Sequence, residues 1–191
     1  MIAGMTSGLR ERRKQETRQA ISDIATGMFA ARGYDQVTIA EIAAAAGVAK
    51  MTVTNYFPRK EDLVFDRAEG LIRHLAEVIA TRAPGESLLA AVRRDYADAV
   101  ARGDVSLGLS SPAFARMIQD APALASRVLE MLNQREEAVG DAIATETGTD
   151  SPQQRVAAAL LASVHRVLGA EASAAFDLLE PSLGRYLIRP A

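Results

Sequence analysis

The sequence predicts an all-α protein, with a small N-terminal three-helix unit followed by a larger C-terminal helical bundle. Apolar residues recur at three- and four-residue intervals through most of the 191 residues, and no apolar–polar alternation runs long enough to argue for a sheet. Glycines and prolines, 13 and 7 of them, divide the chain into helical stretches joined by short connections. Composition agrees: 49% of the residues are hydrophobic, many are alanine, and four tyrosines and five phenylalanines supply all the aromatics. Small side chains of this kind let helices pack closely, and the length supports an ordinary core without metal or disulfide.

The first helix follows the charged run RERRK at 10–14 and shows one apolar face in Ile21, Ile24, Ala25, Met28 and Phe29 before Gly33 ends it. Thr38 precedes IAEIAAAAG and is placed to cap a short helix over 39–45, with Glu41 three residues on completing a capping box. Gly47 supplies a break. A third helix over 49–56 turns Val53 and Phe57 inward and leaves Lys50, Met51, Thr54 and Asn55 outward, and Pro58 terminates it. A long connecting helix is expected over 60–82, with Val64, Ala68, Leu71, Ile72, Leu75, Val78 and Ile79 on one side and Pro84-Gly85 beyond its end. Glu61 and Asp62 suit the positive end of its dipole, whereas Arg59 cannot accept the amide hydrogen bonds of a good N-cap. Further helices are expected over 86–101, 112–119, 122–146, 153–169 and 171–187. The expected division is an N-terminal domain of 1–59 and a C-terminal domain of 60–191.

The formal net charge is −2, but residues 1–60 carry +4 and residues 61–191 carry −6, so an anionic partner would meet the N-terminal part. The absence of cysteine excludes disulfides, thiolate metal centres and a catalytic thiol. His74 and His165, the two histidines, lie in different expected helices outside any metal-ligand motif, and Ser110-Ser111 form no nucleophile–base pattern with them. No enzyme activity, metal or cofactor is therefore expected. The N-terminus lacks a signal-peptide pattern and no stretch approaches the ~20 apolar residues of a membrane span, so a cytoplasmic protein without a membrane partner is expected.

Residues 38–57, TIAEIAAAAGVAKMTVTNYF, place two short amphipathic helices on either side of a glycine turn, which is helix-turn-helix spacing. Ile39, Ile42 and Ala43 can pack against Val48, Val53 and Phe57, bracing the second helix for a major groove; by periodicity alone an ordinary packing unit explains the same pattern. The wider stretch resembles the TetR family of bacterial transcriptional regulators. The resemblance is carried by Thr17-Arg18, Ile21, Ala25, Phe29, Gly33-Tyr34, Thr38-Ile39, Ile42-Ala43, Ala46-Gly47-Val48, Thr52, Tyr56-Phe57 and Lys60-Glu61-Asp62-Leu63, about the first third of the chain. Met51 stands where the family usually has a small Gly, Thr54 where it commonly has Tyr, and Arg59 where Ser or Asn is frequent. Target bases therefore cannot be carried over.

Within this pattern Lys50, Met51, Thr52, Thr54 and Asn55 are the candidates for base contacts, since Asn pairs bidentately with adenine and Thr or Met can meet a thymine methyl. Arg18, Tyr34, Thr38, Tyr56 and Lys60 are candidates for phosphate contacts, with packing of the two tyrosine rings in the small core as the alternative.

The resemblance implies that the C-terminal part forms a homodimer and holds an effector. Val156, Ala159, Leu160, Val164, Val167, Leu168 and Phe176 form the candidate dimer stripe, which a monomer core would equally explain. Pocket candidates are Leu71, Leu75, Tyr96, Phe114, Met117, Ile118, Leu124, Val128, Met131, Leu132 and His165, an apolar set that favours a moderately hydrophobic small molecule. Arg93, Arg94, Arg127 and Arg135 are secondary candidates for an anion contact, against paired or solvated helix faces. The implied function is a ligand-responsive repressor of a palindromic double-stranded operator. An activator, a regulator strengthened by ligand, or a helical interaction protein without specific DNA readout are the alternatives.

Overall fold

The computed structural model describes residues 3–103, 112–164 and 171–187. Among the described residues there is no strand, and nine α-helices occur: α1 (Ala3–Arg32), α2 (Ile39–Ala45), α3 (Lys50–Tyr56), α4 (Ala68–Ala80), α5 (Leu88–Ala101), α6 (Pro112–Asp120), α7 (Pro122–Thr147), α8 (Pro152–Val164) and α9 (Glu171–Leu183). They form two compact units, one drawn from Met1–Ala68 and Pro112–Arg127, the other from Glu69–Ser111 and Val128–Ala191. His165, Val167 and Leu168 lie outside the described residues.

In the first unit α1 buries Ile21, Ala25 and Phe29, and Gly33 takes φ +87° to turn the chain, a conformation other residues resist. Thr38 caps α2 as expected: its hydroxyl accepts the Glu41 N–H at 3.2 Å, and the Glu41 carboxylate accepts the Thr38 N–H at 2.8 Å. Gly47 has φ +66° at the corner, and the Val48 N–H reaches back to the Ala43 carbonyl at 3.0 Å. At seven residues each, α2 and α3 are far below the ~12–15 residues at which an isolated helix becomes even marginal, so packing holds them. Val53 of α3, Phe57 just beyond its end and Ile42 of α2 are at most 1% exposed in the core they share with α1.

Two expectations are corrected here. The helix expected over 60–82 is two elements: a 3-10 turn over Lys60–Leu63, then α4 from Ala68. Leu63 is fully buried and its carbonyl accepts the Ser22 hydroxyl at 2.9 Å, so the turn is pinned to α1 instead of continuing as helix. Phe114, Met117, Ile118 and Leu124, expected in a ligand pocket, instead complete the first unit's core, with the Phe114 ring edge-on to Phe65 at 6.4 Å.

In the second unit α4, α5, α7, α8 and α9 share a core that includes Leu75, Leu89, Val92, Ile143 and Leu161. Tyr96 belongs to this core too, edge-on to Phe176 with ring centroids 5.7 Å apart. Phe176 and Val164, expected on a dimer face, are 3% and 2% exposed; their apolar surface is already covered within the chain, so neither presents a face to a partner. Two polar clusters tie the helices. The Arg82 side chain, with no exposed surface, forks onto the Glu146 carboxylate at 2.6 and 2.7 Å and donates to the Leu187 carbonyl at 2.8 Å. Buried Gln154 accepts the Ser151 N–H at 2.7 Å and donates to the Thr147 hydroxyl at 2.7 Å, fixing the α7–α8 corner.

Candidate nucleic-acid interface

Helix α3 presents the side chains that the sequence assigns to base reading. Met51 is 68% exposed, Lys50 and Asn55 are also exposed, and Thr52 and Thr54 are half-buried. Thr54 turns its hydroxyl back to the Met51 carbonyl at 3.1 Å, which leaves its methyl group as the part not held by its own helix. Val53 and Phe57 anchor the opposite face, so the polar face projects from a seated helix.

Of the residues expected to grip phosphate, Arg18 braces this helix, and Tyr34, Thr38 and Lys60 make contacts elsewhere in the first unit. Arg18 of α1 donates to the Tyr56 carbonyl at 2.6 Å and to the Asp66 carbonyl at 3.3 Å, and its guanidinium lies 4.3 Å from the Phe57 ring centroid. It holds the C-terminal end of α3 and the chain leaving it. Lys60 donates to the Tyr34 carbonyl at 2.6 Å with its ammonium 4.1 Å from the Tyr34 ring centroid. Burial lowers the Lys60 ammonium from its ordinary pKa, against the pull of Asp35, Glu61 and Glu41. The Tyr34 ring is 5% exposed, packs on Phe29 and donates its hydroxyl to Glu61 at 2.7 Å. Burial first, and the Glu61 carboxylate second, raise the Tyr34 hydroxyl well above the ordinary phenol value, so it is a neutral donor. Tyr56 is half-buried against the same core, and Thr38 is exposed with its hydroxyl in the α2 cap.

Sequence reasoning missed the bracing role of Arg18, and a signal for it was present. Arg18 stands three, seven and eleven residues before Ile21, Ala25 and Phe29, so it extends the buried stripe of α1 and its charge had to find partners inside. The Arg32–Glu41 ion pair at 2.7 Å was also missed, because nine residues and a turn separate the partners. That pair, then the Thr38 amide and hydroxyl, lower the Glu41 carboxyl to about 2.

Of the remaining pocket candidates, Leu71 on α4 and Val128, Met131 and Leu132 on α7 are half-buried. Of the dimer candidates, Val156 is 58% exposed, and Ala159 and Leu160 are half-buried.

A capped, seven-residue helix packed across a second whose outer face carries lysine, threonine and asparagine defines a helix-turn-helix DNA-binding protein. Residues 21–66 match the model of the tetR family of bacterial regulatory proteins. It is 26% identical over 172 residues to the HTH-type transcriptional regulator TcmR of Streptomyces glaucescens, spanning 86% of this chain and 76% of that protein. Over 77 residues it is 35% identical to the HTH-type transcriptional regulator AcrR of Shigella flexneri, 39% of this chain and 36% of the other. Among solved structures it is similar to the TetR family repressor AlkX from Dietzia sp. strain DQ12-45-1b, with 20% identity, TM-score 0.49 and coverage of 91% and 99%. The matched segment spans α2 and α3 and is similar to that of bacterial transcriptional regulators. Among the described residues no helix is long and apolar enough to cross a membrane.

Proposed function

We propose that the chain is a one-component repressor that binds a roughly palindromic operator as a homodimer and releases it when a small molecule binds the C-terminal domain. The observation that carries this reading is the exposed polar face of α3 on a buried, braced base. Asn55 pairs bidentately with adenine, Lys50 takes a phosphate or a base edge, and Met51, Thr52 and Thr54 meet thymine methyls. Lys60 has N–H groups beyond the one given to the Tyr34 carbonyl, and with Arg18, Tyr34, Thr38 and Tyr56 it positions the backbone. These residues fall within 1–60, whereas the effector and dimer residues fall within 60–191.

Exposed Val156 on α8 and Leu178, 79% exposed, on α9 support dimerisation through those helices, with Ala159 and Leu160 alongside. Leu71, Val128, Met131 and Leu132, half-buried and apolar, support a moderately hydrophobic effector. Effector and operator are then coupled because the ligand favours a geometry that the operator does not.

The test is selection of genomic fragments by the purified protein at about 0.15 M salt against shuffled competitor. An inverted repeat is expected, and enrichment indifferent to sequence overturns the reading. Asn55→Ala is expected to cost roughly 1–3 kcal/mol of discrimination at one position of each half-site, read by competition between matched and mismatched operators.

A further inference from the structure

The inward stripe of α7 carries two charges, and only one has its counterion. At 3.6 residues per turn, Val128, Met131, Arg135, Val139, Ala142 and Glu146 lie within about 40° of one line along the helix. Val139 is fully buried and Ala142 packs on the second unit's core, so this line faces inward. Glu146 meets Arg82 at 2.6 Å. Arg135 lies eleven residues from Glu146, about 16 Å along the axis, beyond that carboxylate's reach. It is half-buried, and among the described residues it has neither a hydrogen bond nor an ion pair.

Elsewhere in the same unit Arg73 pairs with Glu69, Arg93 with Glu180 at 3.2 Å, Arg94 with Glu86 at 2.9 Å and Arg155 with Asp150 at 2.8 Å. The carboxylates next to Arg135 point elsewhere: Glu136, Glu137 and Asp141 line a groove of about 300 Å³ with Asp150 of the α7–α8 corner and Arg155 of α8, on the other side of the helix. Burial lowers the Arg135 guanidinium from its ordinary pKa, with no carboxylate to offset it. A half-buried cation without a counterion is stabilised when something anionic joins it.

We infer that Arg135 anchors the carboxylate of an amphipathic organic acid whose apolar body lies against Val128, Met131 and Leu132. These three are half-buried, and among the described residues neither packed core includes them, so part of their apolar surface is not taken up there. A single guanidinium matches a single carboxylate in its two-pronged hydrogen bond; a phosphate dianion would require further donors beside it. The inference rests on the reading of the C-terminal domain as the effector-binding part.

The experiment uses the full chain and two matched probe series, straight-chain carboxylates from hexanoate to hexadecanoate and the primary alcohols of equal length, titrated calorimetrically. At least one acid is expected to saturate one site per chain and to bind more than about tenfold tighter than its alcohol. Arg135→Met is expected to abolish that preference while melting at or above the wild-type temperature, because it removes an unpaired half-buried charge, and Arg135→Lys to retain part of it. No saturable acid binding, equal binding of acid and alcohol, an unchanged preference in Arg135→Met, or a melting temperature lowered by several degrees in that variant each overturns the anchor. Operator selection is scored on the same preparations. Selective DNA binding without acid binding removes the anchor and leaves the regulator, and acid binding without selective DNA binding does the reverse.

Discussion

Helices α2 and α3 have seven residues each, whereas α5 and α7 have 14 and 26, and the two units are held together accordingly. A seven-residue helix satisfies few of its own backbone groups, so in the N-terminal unit side chains do it: Thr38 and Glu41 cap α2, Arg18 takes the last carbonyl of α3, and Lys60 takes the Tyr34 carbonyl. The longer C-terminal helices close their own hydrogen bonds and pack through leucine, valine and alanine, with Arg82–Glu146 as a buried ionic tie. Fixed charge geometry therefore sits in the N-terminal unit, where the proposed base contacts lie, and half-buried apolar residues sit in the C-terminal unit proposed to receive a ligand.

Breaking the tie in the C-terminal unit is expected to have the largest effect. Glu146→Ala leaves the Arg82 guanidinium buried without its carboxylate and should lower unfolding stability by about 3–5 kcal/mol in urea. A loss below about 1 kcal/mol would show that the carbonyls of Ile79, Glu86 and Leu187 suffice for that cation. Arg18→Met comes next, at about 2 kcal/mol for two hydrogen bonds from a charged donor. It also separates bracing from phosphate contact: a brace lowers DNA affinity with the salt dependence unchanged, whereas a lost phosphate contact reduces the slope of log affinity against log salt by about one.

What the sequence made legible follows the same division. Glycine turns, the capping box and the apolar stripes rest on local spacing, so α2, α3 and the buried Val53 and Phe57 could be read directly. The long-range engagements could not: Arg18 reaches 38 residues to the Tyr56 carbonyl and Lys60 reaches 26 back to that of Tyr34. Cationic side chains in a basic segment read as phosphate candidates, and the carbonyls and rings that Arg18 and Lys60 also meet are set by the fold. Phe114, Met117, Ile118 and Leu124 misled for a related reason, since an apolar helical face does not state which core it fills. The single helix expected over 60–82 failed because Leu63 continues the stripe in sequence while its burial beside Ser22 requires a turn.

The cap of α2 sharpens the comparison at smaller magnitude. Thr38→Ala removes the acceptor of the Glu41 N–H and should cost about 1 kcal/mol, measured as a shift of the urea midpoint. An equal cost at the Ser87 cap of the 14-residue α5 would argue that short and long helices depend on their caps alike.

The smallest effect depends on pH. The Glu41 carboxyl is lowered to about 2 by Arg32 and by the Thr38 amide and hydroxyl, against 4.5 ordinarily. A lowered carboxyl pKa in the folded chain means that the unfolded chain binds the proton more readily, so Glu41 stabilises fully above about pH 4.5 and loses that contribution as pH falls through 2. Glu41→Gln keeps the shape and removes the charge. The stability gap between wild type and variant is therefore expected to be constant from neutral pH to about 5 and to close progressively toward pH 2. Because the carboxylate is exposed to solvent, the gap should also shrink with added salt at neutral pH. A gap that persists undiminished at pH 2 would place the contribution of this position in packing instead of charge, and would remove Glu41 from the electrostatic half of the comparison.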